Sequence, residues 1–167
     1  MTSTKNTILA HHQIEHKIKR IAYQIYESNV DEKRLVLAGI ESNGYLLARK
    51  IKFILDKISD IESVLCKVII DKHNPHNEIT TSLSPDDYRD NSIVLVDDVL
   101  NSGGTLIYGV KHFLNVPLKQ FKTAVLVNRN HKKYPVKADF KGISLSTSLN
   151  EHIEVNLSKK PYEAFLD

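Results

Sequence analysis

Apolar residues in 13–27 recur at helical spacing: Ile14, Ile18, Ile21, Ala22 and Ile25 share one face. The opposite face carries His11, His12, His16, Lys17, Lys19 and Arg20. Residues 35–40 (Leu-Val-Leu-Ala-Gly-Ile) are then continuously apolar, as a strand covered on both faces must be. That run passes through Glu41, Ser42, Asn43 and Gly44 into a helical pattern at Leu47, Ile51, Ile54, Leu55 and Ile58. Residues 64–70, 93–96 and 123–128 read as further buried strands. Helical spacing returns at Leu106, Ile107, Val110, Phe113 and Leu114, and Ile153, Val155 and Leu157 alternate as a last, half-exposed strand. The remainder is weakly patterned. Residues 1–7 are polar and expected to be loosely held, 71–90 form a long polar stretch with Pro75 and Pro85, and 144–148 read as a serine-rich turn.

Strands that alternate with helices and are buried on both faces predict an α/β fold. Its core is a doubly wound, mostly parallel sheet flanked by helices. At 167 residues, without repeats or linkers, the chain is expected to form a single domain over 1–167. In such a fold the ligand lies beyond the carboxyl ends of the strands. Apolar residues make up 41% and charged residues 26%, which excludes a disordered chain. No apolar run is long enough to span a bilayer, so a cytoplasmic protein with no membrane partner is expected. Cys66 stands alone in an apolar stretch and reads as a reduced core residue. The net charge of +3 permits phosphate or nucleic-acid ligands without demanding them. His12 and His16 have ligand spacing on a helix, but no third ligand accompanies them, and a solvated basic face is the better reading.

Composition leaves the chemistry to residues 97–105. The apolar strand ends in Asp97 and Asp98, and Asn101, Ser102, Gly103, Gly104 and Thr105 lead into the next helix. A glycine turn at a helix N-terminus gathers backbone N–H groups into an anion site, and the two hydroxyl side chains add donors. Adjacent carboxylates accept bonds from vicinal hydroxyls, or hold a divalent metal through water. A phosphate beside a diol describes a ribose 5-phosphate.

Residues 97–105 resemble the phosphoribosyl pyrophosphate (PRPP) motif of type I phosphoribosyltransferases. The resemblance implies a PRPP-dependent pentosyltransferase using Mg²⁺, with Asp97 and Asp98 on the ribose hydroxyls and Asn101 to Thr105 on the 5-phosphate. It further implies that Glu41, Ser42, Asn43 and Gly44 bind pyrophosphate through backbone amides, often around a non-proline cis peptide. A lid carrying Lys72 and His73 would close from residues 71–90, and a hood over about 137–157 would cover the base. Segments 20–22, 39–40, 44–48, 125–132, 135–140 and 147–148 are similar in order and spacing to the pyrimidine-operon attenuators that also act as uracil phosphoribosyltransferases. That similarity implies uracil as acceptor, read by Asn128, Ser146, Thr147, Ser148 and Leu149, and a homodimer or larger homo-oligomer. The chain departs from those proteins at Glu41, Gly104, Asn128, Asn130 and Ser146, where they commonly have Lys, Arg, Asp, Gly and Pro. The alternative it implies is a nucleotide-sensing regulator that grips an mRNA leader through Lys19, Arg20, His131, Lys132 and Lys137. At Tyr23 and Ile143 that RNA surface lacks a histidine and a lysine.

Overall fold

The computed structural model describes residues 5–148 and 150–167. Its centre is a six-stranded sheet with the order β4-β3-β2-β5-β6-β7. The parallel strands are β2 (Arg34–Ile40), β3 (Glu62–Ile69), β5 (Ser92–Leu100), β6 (Gln120–Arg129) and β7 (Phe140–Leu145). The two-residue β4 (Thr80–Thr81) pairs antiparallel with β3 at one edge.

Residues of one strand alternate between two cores. Leu35, Leu37, Val94 and Val96 pack toward α1 (His11–Glu27) and α2 (Asn43–Ile58). Val36, Ala38, Ile93 and Leu95 pack toward α4 (Gly104–Phe113), with Tyr88 of the short α3 (Pro85–Tyr88) in the same cluster. This double covering is why the strands read as continuous apolar runs.

A second sheet, in the order β1-β9-β8, is antiparallel and joins the two ends of the chain. It consists of β1 (Asn6–Leu9), β9 (Glu163–Leu166) and β8 (Ile153–Asn156). Three sequence expectations change here. Residues 6 and 7 are held in β1 by pairing with Leu166 and Phe165. The strand at 153–156 is followed by β9 and is not the last. The span 137–157, expected as one hood, divides: residues 140–145 extend the main sheet as β7, which also takes Ser144 and Leu145 out of the expected turn, and β8 joins the small sheet. The stretch 71–90 is also less irregular than its composition suggested, since it contains β4 and α3.

Candidate functional site

The acidic pair lies inside the last turn of pairing of β5, not after it: Asp97 is in register with Val125, and Leu100 with Asn128. The two carboxylates differ sharply in surroundings. Asp97 is buried, 4% exposed, whereas Asp98 is half-buried. Asp97 Oδ1 accepts from the Asp98 N–H at 2.9 Å and lies 3.4 Å from Lys72 Nζ. Asp98 Oδ1 accepts from the Val99 N–H at 2.8 Å. Burial raises the Asp97 carboxyl, the neighbouring Asp98 charge raises it further, and Lys72 opposes both, leaving it at about 8. At neutral pH Asp97 is therefore held mainly as the neutral acid.

The first turn of α2 is pressed against this pair. A Cβ on Gly44 would stand 2.6 Å from the Val96 carbonyl and 3.1 Å from Asp97 Oδ1, so only glycine lets the helix approach so closely. Asn43 does not cap the helix with its side chain. Its Nδ2 donates to Asp98 Oδ2 at 3.1 Å and to the Val155 carbonyl at 2.9 Å, tying the acid pair to β8 of the small sheet. Ser42 is the N-cap by position but makes no side-chain cap bond. The Glu41–Ser42 peptide is cis. The Glu41 N–H donates to the Val68 carbonyl at 2.9 Å, and its side chain is exposed.

Beyond the acids, Gly103 takes φ +88°, in the left-handed region, and opens α4 at Gly104. Ser102 Oγ accepts from the Gly104 N–H at 3.2 Å. The Ser102 carbonyl accepts from the Lys133 and Tyr134 N–H groups at 2.7 and 3.1 Å, so the loop after β6 braces the turn from outside. A cavity of about 370 Å³ joins these parts. Lys72, Asp97, Asp98, Asn101, Ser102, Gly103 and Thr105 line it, with Leu106, Val125 and Ile153 as apolar walls. The site is thus acidic at one end and a glycine turn under the ten-residue α4 at the other, a layout that suits a phosphate and a diol on one molecule.

Other sequence candidates lie further out. His73 is exposed, and its N–H donates to Asp71 Oδ1 at 2.9 Å. Asn128 is buried at 5% exposure, with its Nδ2 3.2 Å from Ser144 Oγ and its Oδ1 without a partner among the described residues. Thr147 and Ser148 are gripped by Arg129, a buried cation that sequence reading passed over. Its Nε donates to Thr147 Oγ1 and its Nη2 donates to the Ser148 carbonyl at 2.6 Å. An arginine closing an apolar strand was the available signal. Ser146 is exposed, and Leu149 lies outside the described residues. Of the basic candidates, Arg20 is engaged internally, its Nη2 donating to the Lys141 and Gly142 carbonyls at 2.9 and 2.7 Å. His131 Nε2 bonds the Thr147 carbonyl. Lys137 meets Asp139 at 3.6 Å, while Lys19 and Lys132 are exposed.

The family model described as a phosphoribosyl transferase domain matches residues 4–159. Curated relatives include the bifunctional protein PyrR of Leuconostoc mesenteroides, 33% identical over 155 residues that cover 89% of each chain. The bifunctional protein PyrR of Macrococcus caseolyticus is 33% identical over 164 residues, 93% of each. Among solved structures, a hypoxanthine-guanine phosphoribosyltransferase from Bacillus anthracis superposes with a TM-score of 0.78 at 18% identity, covering 98% of this chain and 97% of that one. The hypoxanthine phosphoribosyltransferase of Trypanosoma cruzi gives 0.79 at 15% identity, over 96% and 95%. At these identities the two structures speak for the fold alone.

Proposed function

The chain belongs to the phosphoribosyltransferase family, and from that premise we propose that it transfers ribose 5-phosphate from PRPP to uracil, giving UMP and pyrophosphate. The observation that carries this reading is one cavity that holds both the Asp97–Asp98 pair, at one end, and the Ser102–Thr105 turn, at the other. In this reading the half-buried Asp98 accepts from a ribose hydroxyl, and Asp97 shares the diol. The hydroxyls and backbone N–H groups from Asn101 to Thr105 hold the 5-phosphate. The backbone amides of Ser42, Asn43 and Gly44 and the Lys72 ammonium receive the pyrophosphate, the Glu41 N–H being engaged by the Val68 carbonyl, and His73 belongs to the lid. Asn128 with Ser146, Thr147, Ser148 and Leu149 reads the base edge, Arg129 bracing Thr147 and Ser148.

The protein's contribution is positioning and charge stabilisation. The C1–oxygen bond to pyrophosphate breaks with its electron pair leaving on pyrophosphate. The C1–nitrogen bond to uracil forms, and the displaced N–H proton leaves with the pyrophosphate. Asn101 is an amide and takes no proton, which fits a pyrimidine whose ring N–H is acidic by itself.

Mg²⁺ fits the residues present. No cluster of three His, Cys, Asp or Glu gathers among the described residues, so there is no all-protein cage. Instead a half-buried carboxylate beside a phosphate turn suits an ion that arrives on its ligand's phosphates. Asp98, with Asp97, would hold that ion, which supplies charge neutralisation at the pyrophosphate.

The bifunctional relatives, together with the exposed Lys132 and Lys137, support a second role as a regulator binding an mRNA leader. Base choice tests the primary reading. With PRPP and Mg²⁺, uracil should be phosphoribosylated faster than hypoxanthine or guanine. Faster IMP or GMP formation would return the protein to purine chemistry.

A further inference from the structure

A second cavity, of about 570 Å³, opens between α1, α2 and the segment joining β8 to β9. That volume lies in the range of small-molecule sites. None of its lining residues lines the first cavity. Its floor is apolar, from Ile18, Leu46, Ile54 and Leu157, and Phe53 stands on its rim with 63% of its surface exposed. Around that floor are Lys19, Arg49, Lys50 and Lys160 against one carboxylate, Glu15.

The charges are unevenly spent. Lys160 Nζ is 3.9 Å from Glu15, and Lys50 Nζ donates to Tyr162 Oη at 2.9 Å. Lys19 and Arg49 are exposed, and neither meets a carboxylate among the described residues. The cavity formally carries as much net positive charge as the whole chain, +3. Bringing two such faces together in a symmetric pair of chains would set like charges against each other. The occupant that matches is anionic at one end and flat and apolar at the other: the apolar floor and the exposed Phe53 suit a ring, and the cations offer an anchor for phosphates, while the Tyr162 ring is already covered by Lys50 at 4.3 Å and by the His11 ring at 4.8 Å.

We propose that this cavity is a second binding site, separate from the transfer site, for a phosphorylated aromatic small molecule of the nucleotide class. ATP is the probe, because its purine and polyphosphate test both halves of the site at once. Calorimetric titrations without Mg²⁺ should show ATP binding to the wild-type chain and equally to Asp98→Asn. Adenosine, which lacks the charge, and tripolyphosphate, which lacks the ring, should each bind at least tenfold more weakly. Arg49→Glu combined with Lys160→Glu should weaken ATP at least tenfold and leave uracil turnover unchanged. Should that double variant fail to fold, Arg49→Gln alone removes one exposed charge and should weaken ATP several-fold. The proposal is overturned if ATP does not bind, if Asp98→Asn abolishes binding, or if tripolyphosphate binds as tightly as ATP. It is equally overturned if sedimentation shows a dimer that Phe53→Ser dissociates, because the face would then belong to a second copy of the chain.

Discussion

Replacing Asp97 by Asn should change how stability depends on pH. The carboxyl titrates near 3.8 in the unfolded chain and near 8 in the folded one. Between those values the folded state holds a proton that the unfolded state releases. Stability therefore falls as pH rises across that window, and the fall ends above pH 8. The full slope is about 1.36 kcal/mol per pH unit, so the step from pH 6 to pH 7.5 costs about 2 kcal/mol. Asn keeps an oxygen for the Asp98 N–H and carries no proton to lose, so this component vanishes. Urea unfolding of the metal-free, ligand-free chain, measured at half-unit steps from pH 5 to 8.5, isolates it as the difference between wild type and variant. With a slope of about 2 kcal/mol per molar urea, the gap between their midpoints should widen by about 1 M from pH 6 to 7.5. Two parallel curves would show that Asp97 is charged in the folded state and that burial does not govern it.

Other substitutions probe the surroundings of the same pair and the surfaces beyond it. Lys72→Ala removes the ammonium that opposes the rise of Asp97, so the stability loss should extend to higher pH in the same urea series. Gly44→Ala places a Cβ 2.6 Å from the Val96 carbonyl and 3.1 Å from Asp97 Oδ1; it should destabilise the fold by about 1–3 kcal/mol and raise the KM for PRPP, and an unchanged KM would argue against this close approach. Arg129→Met should leave the strand packed but free the loop at Thr147 and Ser148, raising the KM for uracil more than that for PRPP in steady-state assays. Lys132→Glu with Lys137→Glu should weaken binding to a pyrimidine-operon leader RNA and flatten its log–log salt dependence by roughly 0.7 to 0.9 for each phosphate left unneutralised, with PRPP affinity untouched in a parallel filter-binding titration.

The sequence displayed some of this better than the rest, and burial accounts for the difference. Strands β2, β5 and β6 are covered by helices on both faces, so Leu35 to Ile40 and Ile93 to Val96 had to be apolar throughout. The elements that went unread are short or lie at edges. β1 pairs with β9 across nearly the whole chain, Asn6 opposite Leu166, and nothing local to either strand announces the other. β7 interleaves Lys141 and Gly142 with its apolar residues. A side chain at Gly142 would reach within 2.4 Å of the Leu126 carbonyl, so a residue that looks like a turn former is there for close strand packing.

The site divides in the same manner. Two acids and a glycine turn in fixed register are a local pattern and could be read directly. The clamp from Asn43 to Asp98 and Val155 joins three distant segments, and the bracing of Ser102 by residues 133 and 134 is made by backbone groups. Neither leaves a trace in residue type.

If the Asp97–Asp98 pair and the Ser102–Thr105 turn hold one PRPP molecule between them, removing both carboxylates must release it. Calorimetric titration of PRPP with Mg²⁺ into wild type and into Asp97→Asn/Asp98→Asn tests this most directly. Clear binding to the wild-type chain is expected, with at least a hundredfold loss of affinity in the double variant, which should still unfold cooperatively. Equal affinity in the two proteins would contradict it.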